Sequence, residues 1–418
     1  MKSKSFMLIA GEASGDLLAA ELVKALRDQN LQNENSKMEF FGAGGPKMAG
    51  SGVDLAFDLT THSVIGLLEV LKSYSQFKKL FDQLLQLAIE RKPDVIVCID
   101  FSGFNRRFAN AVRKFCGSRE GRERNWNPKI VQYVSPQVWA SRPGRAEKMA
   151  RDIDLLLCIF PFEKDWYAKR VPNLRVEFVG HPIIDRHTVG TSSTSSQKSL
   201  AAQEKITDAV ERVPTILLLP GSRAGELQRH LPVMMDAARK IKAKHNVRFW
   251  MVLPTIELDL LSTNYIYVNP MRELGEPIYN LKNHPHIRRF VGNLNHILPE
   301  ADLAIASTGT VTMECAYFGV PTIAIYKTSW STYQIGKRII QVKFLAMPNL
   351  LANEMIFPEF IQADATPENI SREALDLLNN SPRRELIKNK LQKIISSLGE
   401  AGASERAAKA ILNLEESR

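Results

Sequence analysis

The stretch Ala301-Asp-Leu-Ala-Ile-Ala-Ser-Thr-Gly-Thr-Val-Thr-Met-Glu-Cys-Ala-Tyr-Phe-Gly-Val-Pro321 has the pattern of a buried strand, a turn rich in hydroxyls and glycine, and a helix. Leu303–Ala306 is a short apolar run between polar residues, which is typical of a parallel strand buried on both faces. Backbone N–H groups of Ser307 to Thr310 would hold phosphate oxygens at the helix start, and Glu314 would reach ribose hydroxyls. The pattern equally fits an ordinary crossover whose hydroxyls cap the helix.

A second stretch, Thr215-Ile-Leu-Leu-Leu-Pro-Gly-Ser-Arg-Ala-Gly-Glu226, also predicts a buried strand and a turn before a helix. Ligands of open α/β sheets bind outside the carboxyl ends of the strands, so we expect both turns to face one crevice. The Arg223 guanidinium would stabilise a departing diphosphate there, unless it pairs with a surface carboxylate such as Glu226. The candidate nucleotide-binding residues are Gly221, Ser222, Arg223, Ser307, Thr308, Gly309, Thr310 and Glu314.

Strand-like apolar runs alternate with helical patterns along the chain, which predicts an α/β fold with mainly parallel sheets. The clear strands are predicted at Phe6–Ala10, Glu39–Gly42, Val95–Ile99, Ile130–Val134, Leu155–Ile159, Val176–Val179, Ile216–Leu219, Phe249–Leu253, Leu303–Ala306 and Thr322–Ile325. Weaker candidates are Tyr265–Val268 and Ile287–Val291.

The length favours two folded domains, because 418 residues exceed what one core usually holds. Thr188–Ser199 is poor in apolar residues and predicts a linker. We expect a first domain over residues 1–187, a linker over 188–205 and a second domain over 206–370. A cleft between the two sheets would suit a reaction of two substrates.

Charge and cysteine content narrow the class of protein. The formal net charge of +10 predicts an anionic partner, and the absence of zinc-finger or RNA-recognition signatures argues against nucleic acid. The four cysteines lack CxxC spacing and are predicted to be reduced. No apolar run is long enough for a signal peptide or a membrane span, so a cytoplasmic protein is expected.

Motifs of several enzyme classes are missing from the sequence. The histidines form no HExxH, and Asp152-Ile-Asp154 precedes an apolar strand, so we interpret this pair as a surface feature at strand entry. No metal or other cofactor is expected. Neither a GxSxG elbow nor P-loop spacing occurs, which argues against a serine hydrolase and a kinase.

The loop Gly11-Glu-Ala-Ser-Gly-Asp16 follows the first strand, and its small residues let a ligand approach the backbone, which predicts an acceptor-side loop. Asp100 directly follows the predicted strand Val95–Ile99 and is the preferred general base, with Glu12 as second choice. Asp16 and Asp100 have an alternative role as carboxylates at helix starts. The candidate acceptor-side residues are Gly11, Glu12, Ser14, Gly15, Asp16 and Asn105.

Val64-Ile-Gly-Leu-Leu-Glu-Val-Leu71 is dense in large apolar residues and leads into a predicted helix. Such a helix either meets lipid or buries its apolar face in the core. The candidate membrane-contacting residues are Val64, Ile65, Leu67, Leu68 and Leu71.

Eight motifs occur together in a fixed order. They are Gly11-Glu-Ala-Ser-Gly-Asp16, Ile99-Asp-Phe-Ser-Gly-Phe-Asn105, Tyr133-Val-Ser-Pro-Gln-Val-Trp139, Pro161-Phe-Glu163, Val179-Gly-His-Pro182, Leu219-Pro-Gly-Ser-Arg223, Ser307-Thr-Gly-Thr310 with Glu314, and Pro348-Asn-Leu-Leu-Ala352. With them the chain resembles the lipid-A-disaccharide synthase family over nearly its whole length. The resemblance implies a GT-B type fold, in which two Rossmann-like domains with mainly parallel sheets face each other across a cleft. It also implies that the terminal helices, residues 371–418, cross back to the first domain.

The family's reaction transfers 2,3-diacylglucosamine from UDP-2,3-diacylglucosamine to the 6-hydroxyl of 2,3-diacylglucosamine 1-phosphate, with inversion, and gives a β-1,6-linked disaccharide and UDP. The resemblance implies that Asp100 is the general base, that Arg223 and the Ser307–Thr310 turn stabilise UDP as it leaves, and that Glu314 binds ribose. No metal is then required. Because both substrates carry acyl chains, a peripheral position on the cytoplasmic face of the inner membrane is implied, with inner-leaflet lipids as partners. A homodimer is left open.

The chain departs from the family pattern at several positions. Gly103 stands where a carboxylate is expected, Ser141 replaces a tryptophan, and Asn353 and Glu354 stand where glycine and a basic residue are expected. Three alternatives are retained: another UDP-sugar glycosyltransferase, a UDP-sugar 2-epimerase, and a non-enzymatic protein that binds nucleotide or nucleic acid.

Overall fold

The computed structural model of the protein describes residues 3–33, 37–62, 67–188, 212–266 and 286–414. The chain divides into two compact units. The first unit is Met1–Thr188 together with Leu398–Arg418, and the second is Val189–Ser397. The predicted linker lies outside the described residues from residue 189 onward.

Within the described residues, the first unit has a parallel sheet with strand order β3-β2-β1-β4-β5-β6-β7. Its strands are β1 (Lys4–Ala10), β2 (Met38–Gly44), β3 (Asp54–Asp58), β4 (Val95–Ile99), β5 (Lys129–Tyr133), β6 (Leu155–Cys158) and β7 (Arg175–Phe178). Its helices up to residue 188 are α1 (Ala13–Asn33), α2 (Pro46–Gly50), α3 (Leu67–Arg91), α4 (Ser102–Gly117), α5 (Arg119–Glu123), α6 (Val138–Ser141), α7 (Ala146–Asp152), α8 (Pro161–Arg170) and α9 (Pro182–Thr188).

The described part of the second unit holds another parallel sheet, with order β10-β9-β8-β11-β12-β13. Its strands are β8 (Thr215–Leu219), β9 (Arg248–Leu253), β10 (Ile287–Val291), β11 (Leu303–Ser307), β12 (Thr322–Tyr326) and β13 (Glu359–Ile361). Its helices are α10 (Ala224–Lys242), α11 (Ile256–Ile266), α12 (Leu294–Ile297), α13 (Val311–Tyr317), α14 (Trp330–Ile339), α15 (Met347–Ala352), α16 (Pro367–Asn379) and α17 (Ser381–Ser397). Short 3₁₀ turns lie at Thr60–His62, Pro143–Arg145, Leu298–Glu300 and Gln362–Asp364.

Of the terminal residues 371–418 that were expected to cross back, those up to Ser397 belong to the second unit, and the segment from Leu398 belongs to the first unit. The helix α18 (Ala403–Leu412) packs against α1. Around it, Leu398 O accepts a hydrogen bond from His181 N at 3.0 Å, and Asp185 Oδ1 accepts one from Gly402 N at 2.7 Å. The Arg406 guanidinium donates to Val179 O at 2.8 Å. Residues far apart in sequence therefore complete one unit.

The predicted α/β class is confirmed, because both described sheets are parallel and their central strands are buried on both faces. In β1 the residues Phe6–Ala10 are buried, and in β4, β8 and β11 every residue is buried. Each of the clear predicted strands overlaps an observed one, and so does Ile287–Val291. The four cysteines are free thiols, as predicted.

Two predictions about local structure are wrong. Tyr265 and Ile266 of the predicted strand Tyr265–Val268 belong to the end of α11, and residues 267–268 lie outside the described residues. Asp152 is not a surface residue: it is buried, and its carboxylate accepts hydrogen bonds from Asn110 Nδ2 at 3.1 and 3.2 Å. Asp154 binds Arg113 and the Ile130 N–H group.

Each sheet has a topological switch point, where successive strands are added on opposite sides of a central strand. In the first sheet it lies between β1 and β4, and in the second between β8 and β11. Loops that follow such strands diverge and leave a crevice at the carboxyl edge of the sheet, which is where α/β proteins bind ligands. The predicted site loops follow these four strands.

Candidate functional site

The glycine loop after β1 and Asp100 after β4 lie together at the first switch point. Ala10 and Ile99, the last residues of these strands, pair in register. A Cβ atom added at Gly15 would lie 3.8 Å from Asp100 Cβ, and one added at Gly11 would lie 2.3 Å from the ring of Phe101. The loop therefore lies beside Asp100 at Gly15, and at Gly11 it approaches the Phe101 ring so closely that a larger side chain does not fit.

Asp100 has an unusual backbone. Its φ is 48° and that of Phe101 is 42°. Residues with side chains adopt this left-handed conformation less readily than glycine, and bulky residues such as phenylalanine rarely do so without support from their surroundings. Asp100 N donates to Tyr133 O at 2.9 Å, and Asp100 O accepts from Asn105 Nδ2 at 2.9 Å and from Gln132 Nε2 at 3.3 Å. The N-cap residue of α4 is Phe101 and not Asp100. These contacts hold the half-buried Asp100 side chain at the carboxyl edge of the sheet.

Asn105 is fully buried beneath this loop. Its Nδ2 group donates to Ile99 O at 3.2 Å and to Ile9 O at 3.4 Å, in addition to Asp100 O. One amide thus connects the end of β1 with the end of β4. The structure places Asn105 under the predicted acceptor loop, where it positions the backbone of Asp100.

Asp16 is also buried, with 2% of its surface exposed. Its carboxylate accepts hydrogen bonds from Gly45 N and Lys47 N at 2.9 Å and from Met48 N at 3.0 Å. These N–H groups lie at the start of α2, so the carboxylate has the helix-start role, toward α2 rather than its own helix. The neighbouring Glu12 is half-buried and Ser14 is exposed.

At the second switch point, the turn after β8 depends on glycine. Gly221 has a φ of 126°, and a Cβ atom there would lie 2.4 Å from Glu226 Oε2. The same carboxylate oxygen accepts a hydrogen bond from Ser222 N at 3.0 Å. Arg223 is exposed at the N-cap position of α10. The turn is therefore shaped by Glu226 and presents Arg223 at the helix start.

The turn after β11 lies beside it, because Ala306 pairs with Leu219. Gly309 has a φ of 133°, and Thr312 Oγ1 donates to Gly309 O at 2.7 Å. Thr308 N donates to Ile325 O at 3.2 Å. That N–H group belongs to the sheet, so the expectation that all N–H groups from Ser307 to Thr310 hold phosphate is too broad.

The other residues that were predicted to bind the donor differ in how far they are exposed along this turn. Ser307 is buried at the end of β11, whereas Gly309 and Thr310 are exposed. Glu314 is half-buried in the first turn of α13. The exposed part of the turn therefore begins at Gly309.

His230, which is not among the residues predicted from the sequence, anchors the turn after β8. Its Nδ1 atom lies 2.8 Å from Pro220 O, and its Nε2 atom accepts a hydrogen bond from Lys327 N at 3.0 Å. Burial lowers the pKa of His230, so the ring is neutral and donates through Nδ1. The histidine thus connects the turn after β8 with the end of β12. Its place between Leu227 and Leu231 on the buried face of α10 was the available signal.

Two further motifs meet in the first unit beside β5 and β6. Trp139 Nε1 donates to Glu163 Oε1 at 3.0 Å, and Glu163 Oε2 accepts from Phe160 N at 3.2 Å. Burial raises the pKa of Glu163 to about 7. The Trp139 ring packs edge-on against Phe162, with 4.9 Å between ring centroids. Glu163 therefore fixes Trp139 in α6, the short helix that follows β5.

Of the predicted membrane-contacting residues, Val64 and Ile65 lie outside the described residues, and Leu67, Leu68 and Leu71 belong to α3. No helix in the described part of the chain combines the length and apolar composition needed to cross a bilayer. Across the same residues, no group of three or more His, Cys, Asp and Glu side chains is arranged to hold a metal ion.

Similarity to known proteins covers the whole chain. The family model for lipid-A-disaccharide synthetase matches residues 6–413. The chain is 33% identical to the lipid-A-disaccharide synthase of Myxococcus xanthus, covering 98% of this chain and 97% of that protein. It is 34% identical to the one of Syntrophus aciditrophicus, covering 99% and 98%.

Solved structures with lower identity share the fold. A putative UDP-N-acetylglucosamine 2-epimerase from Listeria monocytogenes aligns with a TM-score of 0.62 at 14% identity, covering 100% of this chain and 97% of that one. The calicheamicin glycosyltransferase CalG4 aligns with a TM-score of 0.54 at 12% identity, covering 100% and 99%. The architecture is therefore that of GT-B glycosyltransferases and related epimerases. The full-length match shows that this chain is a glycosyltransferase and belongs to the lipid-A-disaccharide synthase family.

Proposed function

We propose that the protein transfers 2,3-diacylglucosamine from UDP-2,3-diacylglucosamine to the 6-hydroxyl of 2,3-diacylglucosamine 1-phosphate, which yields the β-1,6-linked tetraacyl disaccharide 1-phosphate and UDP in lipid A biosynthesis. One observation carries the proposal beyond family membership. Each unit brings candidate residues together at its switch point, with Asp100 beside a glycine loop in the first and the turns that carry Arg223 and Gly309 on neighbouring strands in the second. We assign the acceptor to the first and the donor to the second.

Asp100 is the proposed general base. Its carboxylate takes the proton of the acceptor 6-hydroxyl as that oxygen attacks the anomeric carbon from the side opposite UDP, which inverts the configuration. A general base must be held accurately within reach of the proton that it removes. The three hydrogen bonds to the Asp100 backbone supply that placement, because they hold a left-handed conformation that an unsupported aspartate would leave.

Arg223 and the turn after β11 are the proposed stabilisers of the departing UDP. A guanidinium matches diphosphate oxygens with two parallel N–H donors, and its charge offsets the negative charge that grows on the leaving group. Gly309 and Thr310 are the exposed residues of the turn, and Glu314 is the proposed ribose ligand. This mechanism assigns no role to a metal. Transfer should persist in EDTA, and loss of transfer that Mg²⁺ restores would contradict the assignment.

The specific partners follow from the acyl chains of both substrates. We propose that the protein works as a peripheral protein on the cytoplasmic face of the inner membrane, with Val64, Ile65, Leu67, Leu68 and Leu71 in contact with lipid. Leu67→Glu with Leu68→Glu should reduce liposome binding without loss of folding. Destabilisation with intact lipid binding would place that segment in the core instead. Light scattering of the same samples tests whether two copies associate.

The decisive experiment is mass spectrometry of products after purified protein is incubated in detergent with both lipid substrates. Wild type should form the tetraacyl disaccharide. Asp100→Asn should lower its formation by about 100-fold or more while UDP-sugar binding is retained, and Arg223→Ala should weaken both. Asp28→Asn, at an exposed position on α1 of the same unit, is the carboxylate control and should leave transfer unchanged.

Several outcomes would overturn the proposal or part of it. Full turnover by Asp100→Asn would remove the base assignment. UDP release without a disaccharide, or conversion of UDP-N-acetylglucosamine to its 2-epimer, would leave the nucleotide site in place and reject the acceptor. Salt-sensitive binding of nucleic acid without sugar transfer would support the non-enzymatic alternative.

A further inference from the structure

The helix α14 in the second unit carries large apolar side chains on the surface. Trp330 is 76% exposed, Ile335 is 49% exposed, and Ile340, just after the helix, is 42% exposed. No residue of α14 is buried. A buried helix or an ordinary polar surface helix would not show this combination.

The exposed residues share one side of the helix. At about 100° per residue, Trp330, Arg338 and Ile335 fall on one arc, with Lys337 at its edge. Thr332, Gly336 and Ile339 lie on the other side and are half-buried. The unit therefore turns one side of α14 inward and presents a surface that mixes tryptophan, isoleucine and basic side chains.

Along the chain, the charged residues in and next to α14 are all basic. Glu359 of β13 lies against the end of this segment, where its carboxylate accepts hydrogen bonds from Leu345 N and Ala346 N at 2.9 Å. Residues 315–353 contain no aspartate or glutamate. Lys327 is held inside the unit, where its Nζ atom donates to Gln362 O at 3.1 Å and Ala365 O at 3.3 Å. Lys337, Arg338 and Lys343 are exposed, and within the described residues none of them pairs with a carboxylate. Their charge is thus directed to the solvent side.

Another helix of the same unit provides a contrast. On α11, Ile256 and Leu260 are each 63% exposed, which is more than Ile335. That helix carries Glu257 and Asp259 in its first turn, so an anionic surface would repel it. Both helices expose large apolar side chains. Only α14 of these two helices also carries exposed basic residues.

We propose that α14 together with the segment to Lys343 docks onto the surface of an anionic phospholipid bilayer. Tryptophan prefers the boundary between acyl chains and headgroups, isoleucine enters the apolar side, and each Lys or Arg near an anionic leaflet adds electrostatic attraction. This contact is separate from Val64–Leu71 and belongs to the unit assigned to the donor. It rests on the proposed function only in assuming that the protein works at a membrane.

Vesicle flotation tests the proposal on the full-length protein. Wild type should float with vesicles of phosphatidylethanolamine containing about 30% phosphatidylglycerol, and 1 M NaCl should weaken this binding. Lys337→Glu with Arg338→Glu should lower the partition coefficient by about tenfold or more. Trp330→Ser with Ile335→Ser should lower it on the same vesicles, and Trp330 fluorescence should be quenched by brominated acyl chains in wild type.

Matched controls use exposed residues of the same types elsewhere in the unit. Lys244→Glu with Lys393→Glu changes the net charge equally, and Ile256→Ser with Leu260→Ser removes similar apolar surface. Both controls should bind vesicles within about twofold of wild type, since the field of the leaflet falls off within a Debye length. An equal loss in controls and α14 variants would overturn the proposal, because binding would then depend on overall charge.

A different occupant of the surface would also be visible. If Trp330→Ser with Ile335→Ser changes the molar mass in solution and leaves vesicle binding intact, the face joins two copies of the chain and the lipid proposal is rejected. The transferase assignment has its own readout, the formation of disaccharide in detergent. If an α14 variant loses vesicle binding but keeps normal transfer in detergent, the lipid contact is supported. If wild type shows no transfer but the vesicle binding of wild type, α14 variants and controls is as expected, only the proposed function is contradicted.

Discussion

The two switch-point sites achieve a left-handed backbone in different ways. In the second unit the positive φ angles fall on Gly221 and Gly309, where the conformation costs little. In the first unit they fall on Asp100 and Phe101, which have side chains, and buried amides of Asn105 and Gln132 hold the strained loop. A turn that presents backbone to a nucleotide can be glycine, but a general base needs its side chain. In the proposed acceptor site, side-chain anchors therefore hold a positive φ at residues other than glycine, whereas in the proposed donor turns glycine supplies the positive φ and His230 and Glu226 only fix the position of the turn after β8.

The largest effect should come from the anchor of the first site. Asn105→Leu removes the buried amide donor shared by the carbonyls of Ile9, Ile99 and Asp100, of which Asp100 O keeps only the longer bond from Gln132 Nε2. This should lower the free energy of unfolding by about 2–4 kcal/mol. Turnover should fall about 100-fold while UDP affinity is kept, because Asp100 loses its placement. Urea denaturation, transfer assays and calorimetry with UDP measure the three quantities. Asn110→Leu, on the same helix, is the control, and equal turnover in both variants would refute the role of Asn105.

The second anchor should act on the donor instead. His230→Phe leaves Pro220 O and Lys327 N unpaired, at a cost of about 1–3 kcal/mol in stability. Titration calorimetry should show about tenfold weaker UDP binding, roughly 1.4 kcal/mol, with little change in the rate at saturating donor. His245→Gln, just beyond the far end of the same helix, should bind UDP normally. A variant that keeps UDP affinity but loses the saturated rate would contradict the division between the two sites.

A pH dependence should mark the first unit. The pKa of Glu163 is about 7 in the folded protein against an ordinary value of 4.5, so the folded state binds this proton more tightly than the unfolded state. The free energy of unfolding should therefore fall as pH rises from about 4.5 to 7, by roughly 1–3 kcal/mol. Glu163→Gln should flatten that slope in denaturation curves between about pH 5 and 8. Glu147→Gln, at an exposed position, should keep it, and an unchanged slope in Glu163→Gln would exclude Glu163 as its source.

The smallest effect should come from Gly103, where the chain has glycine in place of the carboxylate expected from the family pattern. A Cβ atom there meets nothing within 4 Å, and the same is true of Gly117 at the other end of α4. Alanine at either position should raise the free energy of unfolding by about 0.5–1 kcal/mol, because glycine weakens helices. Turnover should stay normal for Gly117→Ala. Lower turnover for Gly103→Ala alone would show that the acceptor needs the space beside Asp100.

The sequence predicted the sheets well because parallel strands buried on both faces are continuous apolar runs. The strands it missed, β3 and β13, are edge strands with half-buried residues such as Leu55 and Phe360 and no such run. The strand prediction at Tyr265 and Ile266 was wrong for the opposite reason, because an apolar run at the end of a helix has the same local pattern as a strand.

The loops of the site were predictable, but the contacts that hold them were not. Asp100, Arg223 and the Gly309 turn follow strand ends, and strand ends can be located from local pattern. His230 and Asn105 act through carbonyl and amide groups that are distant in sequence, as in the bond from Asn105 to Ile9. The burial that raises the pKa of Glu163 is likewise a property of the packed unit. Such partners become visible only when the chain is folded.

The return of residues 398–414 to the first unit sets the order of events on the ribosome. Most of that unit is synthesised first, yet α18, with its buried residues Ala407, Ala408 and Ile411, emerges after the whole second unit and only then covers α1. Throughout translation of the second unit, the nascent chain therefore displays an uncovered apolar face to chaperones and proteases. A premature stop just before α18 would leave that face open permanently, so quality control can recognise such a truncated chain even though both sheets have been made.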